Sequence, residues 1–158
     1  MQSPQLKESA IEDLLASGLS VSGRYAVRSS NHRNFLKATI PVQAPDGCPF
    51  LIEMRVNVND TIRDKASFTL VVNGISIRRL CLNGNHGNRH TNDEVWHSRT
   101  HKHRYTDVCA DRFAYTPTDI TEESLNGVFR QFCGECNIAC DATLADLPAP
   151  RLFHVDDV

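Results

Sequence analysis

His101-Lys102-His103-Arg104-Tyr105 is the stretch of this chain whose residue types and spacing best suit chemistry. On a β-strand, residues 101, 103 and 105 share one face, with Cα atoms of i and i+2 roughly 6.6 Å apart. Two imidazoles and a phenol then project side by side, with Lys102 and Arg104 turned the other way. Such a pair supports two kinds of chemistry. It can hold zinc or another divalent transition metal, with His90 or His97 as a further ligand and water in the open position. It can also work without metal, one neutral imidazole as base and one imidazolium as acid, because histidine titrates near neutral pH. Tyr105 would then orient a proton. A third reading gives the histidines no chemistry and leaves them on a wet strand face or in an interface.

The surroundings favour an anionic substrate. Five histidines (His86, His90, His97, His101 and His103) fall in this one segment. From Arg78 to Arg112 seven Lys and Arg residues outnumber four Asp and Glu, in a chain whose formal net charge is -2. Arg99 or Arg89 offers a bidentate fork for phosphate, and Lys102 and Arg104 add charge on the same strand. Trp96, the only tryptophan, reads as a hydrophobic anchor for the segment in preference to a base-stacking platform.

The elements that must position these residues are mostly strands. Ser3-Pro4 followed by Leu6, Ile11, Leu14 and Leu15 predicts a short N-capped helix that stops at Gly18. Val21 to Val27, Leu36 to Val42 and Phe50 to Val58 alternate apolar and polar residues, the mark of strands with one dry face. Pro45, Asp46 and Gly47 predict a turn between the second and third. Asn73-Gly74 between Phe68-Leu70-Val72 and Ile75-Ile77 predicts a tight hairpin. The polar run Asn83 to Asn92 reads as a loop. Arg99 to Thr106 and Phe113 to Tyr115 read as further strands. Asp119 and Glu122 resemble a capping box. Leu125, Val128, Phe129, Phe132, Cys136 and Cys140 recur at helical spacing, which predicts a second helix through Cys140.

Cys133, Cys136 and Cys140 also invite a zinc reading, with Cys109 as a further ligand. One side of a helix is the wrong home for such a site, and packing into the core is the expectation. Phosphate-binding loops, dinucleotide fingerprints, His-Glu-x-x-His and Gly-x-Ser-x-Gly are absent, so no nucleotide cofactor is expected. No apolar run is long enough to span a bilayer. The first residues lack the apolar core of a signal peptide. A cytoplasmic, reducing compartment with free thiols is therefore expected.

Several short motifs resemble a family of bacterial and phage proteins described only as a domain of unknown function. They are Leu80-Cys81-Leu82-Asn83-Gly84, His90-Thr91-Asn92, His101-Lys102-His103-Arg104-Tyr105, Phe113-Ala114-Tyr115 and Cys136-Asn137-Ile138. The chain departs from that pattern at Asp93-Glu94-Val95, where the family tends to have Pro-Asp-Gly, and at Lys102 and Arg104, which are usually apolar. The second departure predicts a more exposed, phosphate-facing strand. The resemblance implies a bacterial cell or a phage's host as the setting, and no activity.

The combined expectation is an α+β domain over residues 1–147 with an acidic tail over 148–158. An antiparallel sheet of about five to seven strands carries an N-terminal and a C-terminal helix. The expected function is hydrolysis of a phosphodiester, in RNA or a nucleotide, with or without metal. The alternative is a non-catalytic phage or mobile-element protein that binds and inhibits a host protein.

Overall fold

A computed structural model describes residues 6–29, 35–60, 65–87, 95–106, 110–115, 124–145 and 147, with backbone alone for 83–87, 95–101 and 110–115. Helix α1 spans Glu8–Leu15 and helix α2 spans Leu125–Glu135. The strands are β1 (Leu19–Tyr25), β2 (Arg28–Ser29), β3 (Phe35–Pro41), β4 (Ile52–Asn59), β5 (Ala66–Val72), β6 (Ile75–Gly87), β7 (Val95–Thr106), β8 (Ala110–Tyr115) and β9 (Ile138–Leu144). Strands β2 to β8 form one antiparallel meander in chain order, and β1 and β9 form a separate parallel pair. The expected α+β class, sheet size and two helices are what the chain adopts.

Period-two patterning explains the meander. Leu36, Ala38 and Ile40 of β3, Met54, Val56 and Val58 of β4, and Phe68, Leu70 and Val72 of β5 are all buried. They stand in register across the sheet, Ala38 opposite Val56 and Val56 opposite Phe68. Residues paired across neighbouring strands lie on the same face, so these rows form one continuous apolar surface. Helix α2 covers it with Phe129 and Phe132, whose rings lie 6.0 and 6.1 Å from that of Phe68. The Asn73-Gly74 hairpin forms as expected, with φ of 50° and 81° at its two turn residues. A register shift follows between Leu70 and Val71, a bulge that resets which residues of β6 face each way.

The helix ends and the extent of one strand differ from the expectation or lie outside what is described. Helix α1 begins at Glu8 with Lys7 as its N-cap, without a side-chain bond; Ser3-Pro4, the expected start, lies outside the described residues. The Asp119–Glu122 capping box also lies outside the described residues, and Ser124 caps α2, its side chain accepting from the Gly127 N–H at 3.0 Å. Strand β6 runs on to Gly87 where a loop from Asn83 was expected. Helix α2 ends at Glu135 and does not reach Cys140. Asn137 turns the chain with φ of 55°, and its side chain donates to the Leu15 carbonyl at the end of α1, at 2.8 Å. The residues after it then form β9 beside β1. Asn126 closes this corner, accepting from Leu144 N–H and donating to Leu144 O at 2.8 and 2.9 Å.

Among the described residues no helix is long and apolar enough to cross a membrane.

Candidate functional site on the polar sheet face

The register of β3 to β7 sets a row of polar residues on the face that turns away from α2. One row reads Lys37, Asn57, Ser67, Cys81 and position 101. The next reads Thr39, Arg55, Thr69, Arg79 and His103. The first three strands expose this face: Lys37, Thr39 and Arg55 are open to solvent, while Asn57, Ser67 and Thr69 are half-buried. Arg55 is held by Glu53, its Nε donating at 2.8 Å. Toward β7 the face closes, and His103 is 1% exposed.

Arg79 is the centre of the closed end. Its Nη2 lies 3.4 Å from both ring nitrogens of His103, so the guanidinium spans the imidazole instead of addressing one nitrogen. Arg79 also hydrogen-bonds the thiol of Cys81, which favours the thiolate, but burial is the larger influence and keeps Cys81 above its ordinary pKa. Cys81 is therefore no activated nucleophile. Arg79 Nε is buried and has no hydrogen-bond partner among the described residues. A buried guanidinium N–H without an acceptor is costly.

A groove of about 290 Å3 opens on the same face, lined by Phe35, Asn57, Asn59, Lys65, Ser67 and Cys81 among others. Its lining combines amides, a hydroxyl, an ammonium and an aromatic ring. A second groove of about 380 Å3 lies between α1 and the Pro45–Phe50 turn. It is lined largely by apolar and small residues and contains no histidine or arginine.

Strand β7 brings only part of the expected constellation together. His103 stands beside Arg79 on the polar face, and position 101 is in register with Cys81. Lys102 and Arg104 alternate to the helix side, opposite Leu80 and Arg78. Lys102 is buried beneath α2 with its Nζ 2.6 Å from Glu135 Oε2, so it is removed from any ligand on the polar face. Arg104 is exposed, and Tyr105 is half-buried against the hydrophobic core. The expectation of a strand more exposed because of Lys102 and Arg104 is thus corrected: both Lys102 and His103 are buried. A covering helix that supplies its own carboxylate can seal a lysine on a strand.

His97, Arg99 and His101 lie on β7, where only the backbone is described, with Arg99 in register with Gly84. Arg89 and His90 lie outside the described residues. Among the described residues no group of three His, Cys, Asp or Glu is placed to hold a metal. Cys133 and Cys136 are buried in the core, and burial pushes both thiols well up. Cys140 reaches Cys133 from β9 and not from the same helix. Cys109 lies outside the described residues.

Sequence reading did not single out Cys81, Asn57 or Ser67, and it treated Arg79 as background charge. The signal was present, since period-two alternation places Asn57 and Ser67 on the wet face. The bulge in the β5–β6 hairpin hides the same assignment for Arg79 and Cys81.

Residues 8–138 match the model of a family of unknown function, DUF6978. No curated protein and no solved structure matches the chain.

Proposed function

Because the chain belongs to DUF6978, a family of unknown function, we propose from geometry alone that its polar sheet face binds and hydrolyses a phosphodiester of RNA or a nucleotide. The observation that carries this reading is Arg79: a guanidinium set against His103, with a buried Nε–H lacking a described partner. A phosphate suits a guanidinium in charge and in the fork of donors it presents, once the side chain turns its buried Nε–H toward the groove. His103, sealed from solvent, is best suited to holding Arg79 in place. His101, in register with Cys81 at the groove end of Arg79, is the better candidate for proton transfer. It would take a proton from the attacking water or hydroxyl and return one to the leaving oxygen. In the metal-dependent alternative, His101 and His103 would instead hold zinc or another divalent metal, with His90 or His97 as a further ligand.

Purified protein incubated with RNA and with cyclic and linear nucleotides, between pH 5 and 8 and with or without divalent transition metals, tests this. Turnover should appear and fall about a hundredfold or more in His101→Ala. No turnover under any of these conditions removes the proposal.

One observation favours a second reading. His103 is buried and Lys102 is locked under α2, as expected if the segment is structural and the chain is a non-catalytic phage or mobile-element protein that inhibits a host protein. A stable complex with a host protein, unchanged by His101→Ala with His103→Ala and unaccompanied by turnover, would favour it.

A further inference from the structure

We propose that the phosphodiester belongs to a single-stranded polynucleotide laid across the polar sheet face, from a base stacked on Phe35 to a phosphate at Arg79. The inference rests on the reading of this face as the phosphodiester site and narrows its substrate class.

Three observations carry it. The first is Phe35, an aromatic residue 41% exposed at the rim of the groove and in register with Asn59. Apolar rings are usually withdrawn from a polar sheet face. One that is presented beside amide side chains suits base stacking, with Asn57 and Asn59 placed to hydrogen-bond a base edge. The second is charge. Lys37, Lys65 and Arg79 stand on or beside this face, and Arg55 next to them is matched by Glu53. The balance is positive along the path from groove to Arg79, which complements a phosphate backbone.

The third is distance. Phe35 is three strands away from Arg79, and in register Arg79 lies level with Thr39, four residues along β3 from Phe35. With strands about 4.8 Å apart and a rise of about 3.4 Å per residue, the two positions are separated by about 20 Å. A single nucleotide does not reach from its base to its own phosphate over that span. A strand of several nucleotides does. A duplex would present its backbone alone to this face, so the ring and amides beside the groove suit unstacked bases better.

The test is binding of a short labelled oligouridylate, followed by fluorescence anisotropy, with uridine monophosphate and a duplex RNA as competitors. Wild-type protein should bind the single strand more tightly than either competitor. Phe35→Ala should weaken binding by about 5- to 150-fold, the worth of one base–aromatic stack, while Phe35→Tyr should retain it. Lys37→Glu is a second variant on the exposed part of the face, independent of any effect of Phe35 on folding. It should weaken binding and flatten its salt dependence. Circular dichroism checks that each variant is folded. Equal binding by wild type, Phe35→Ala and Lys37→Glu overturns the strand proposal, as does preference for the mononucleotide. If turnover of a nucleotide persists in that case, the hydrolase reading survives without it. Absence of both binding and turnover removes both.

Discussion

Replacing Lys102 by alanine should lower the stability of the fold by about 3–5 kcal/mol. Its side chain is 3% exposed, and its ammonium meets the carboxylate of Glu135, whose side chain is 17% exposed. Glu135 is the last residue of α2. A carboxylate there opposes the helix dipole, whose negative end it adjoins. Burial disfavours it further. Removing Lys102 leaves that charge in place without the cation 2.6 Å away. The loss is therefore much larger than that of a surface ion pair, which is about 0–1 kcal/mol. For a chain of this size the melting temperature should fall by about 6–20 °C. The combination Lys102→Met with Glu135→Leu separates the effect of the buried charge from that of lost packing. It should recover most of the stability, since a buried pair replaced by apolar groups is often neutral. A loss below about 1 kcal/mol in Lys102→Ala would place the pair in solvent and contradict the sealed helix side of β7.

The second large effect is expected at Phe68. This residue of β5 is fully buried and stacks with Phe129 and tilts against Phe132. Phe68→Ala should cost about 3–5 kcal/mol, combining lost transfer energy with the cavity left between sheet and helix. Against a total stability of about 5–15 kcal/mol the variant is near its limit. Phe68→Leu conserves much of the volume and should be considerably milder. Urea titration measures both. Equal, small losses in the two variants would mean that α2 does not seat on this part of the sheet.

These two predictions concern the helix side of the sheet, and the proposed function concerns the other. The division between them was partly legible in the sequence. Alternation in β3, β4 and β5 was unambiguous because Leu36, Ala38 and Ile40, then Met54, Val56 and Val58, then Phe68, Leu70 and Val72 each repeat with a period of two, and Asn73-Gly74 marked the hairpin. Strand β9 was hidden for a physical reason. Cys133, Cys136 and Cys140 keep helical spacing across its start, while the break comes from Asn137 in a left-handed conformation that local periodicity does not reveal. Ile138, Cys140, Ala142 and Leu144 do alternate, a short signal that the helical pattern masks.

The candidate site was less legible. A lysine and an arginine within a strand read as exposed because burial of Lys102 depends on Glu135, a residue of a distant helix. The pairing of His103 with Arg79 joins positions 24 residues apart and depends on the register of β6 against β7. Register shifts in both flanking hairpins make that pairing unreadable from spacing alone. What spacing did show was the alternation within His101-Lys102-His103-Arg104. It separates Lys102 and Arg104 from His103, and the register preserves that separation.

The most direct test of the account is to ask which face of the sheet meets a phosphodiester. Nuclear magnetic resonance of labelled protein, titrated with a short single-stranded oligonucleotide, reads this without depending on turnover. The side-chain amide signals of Asn57 and Asn59 and the Nε–H signal of Arg79 all report the polar face. Those three signals should shift together, while the side-chain amides of Asn126 and Asn137, bonded at the α2–β9 corner, should stay still. Shifts confined to that corner or to the groove beside Phe50, with Arg79 unmoved, would contradict the account.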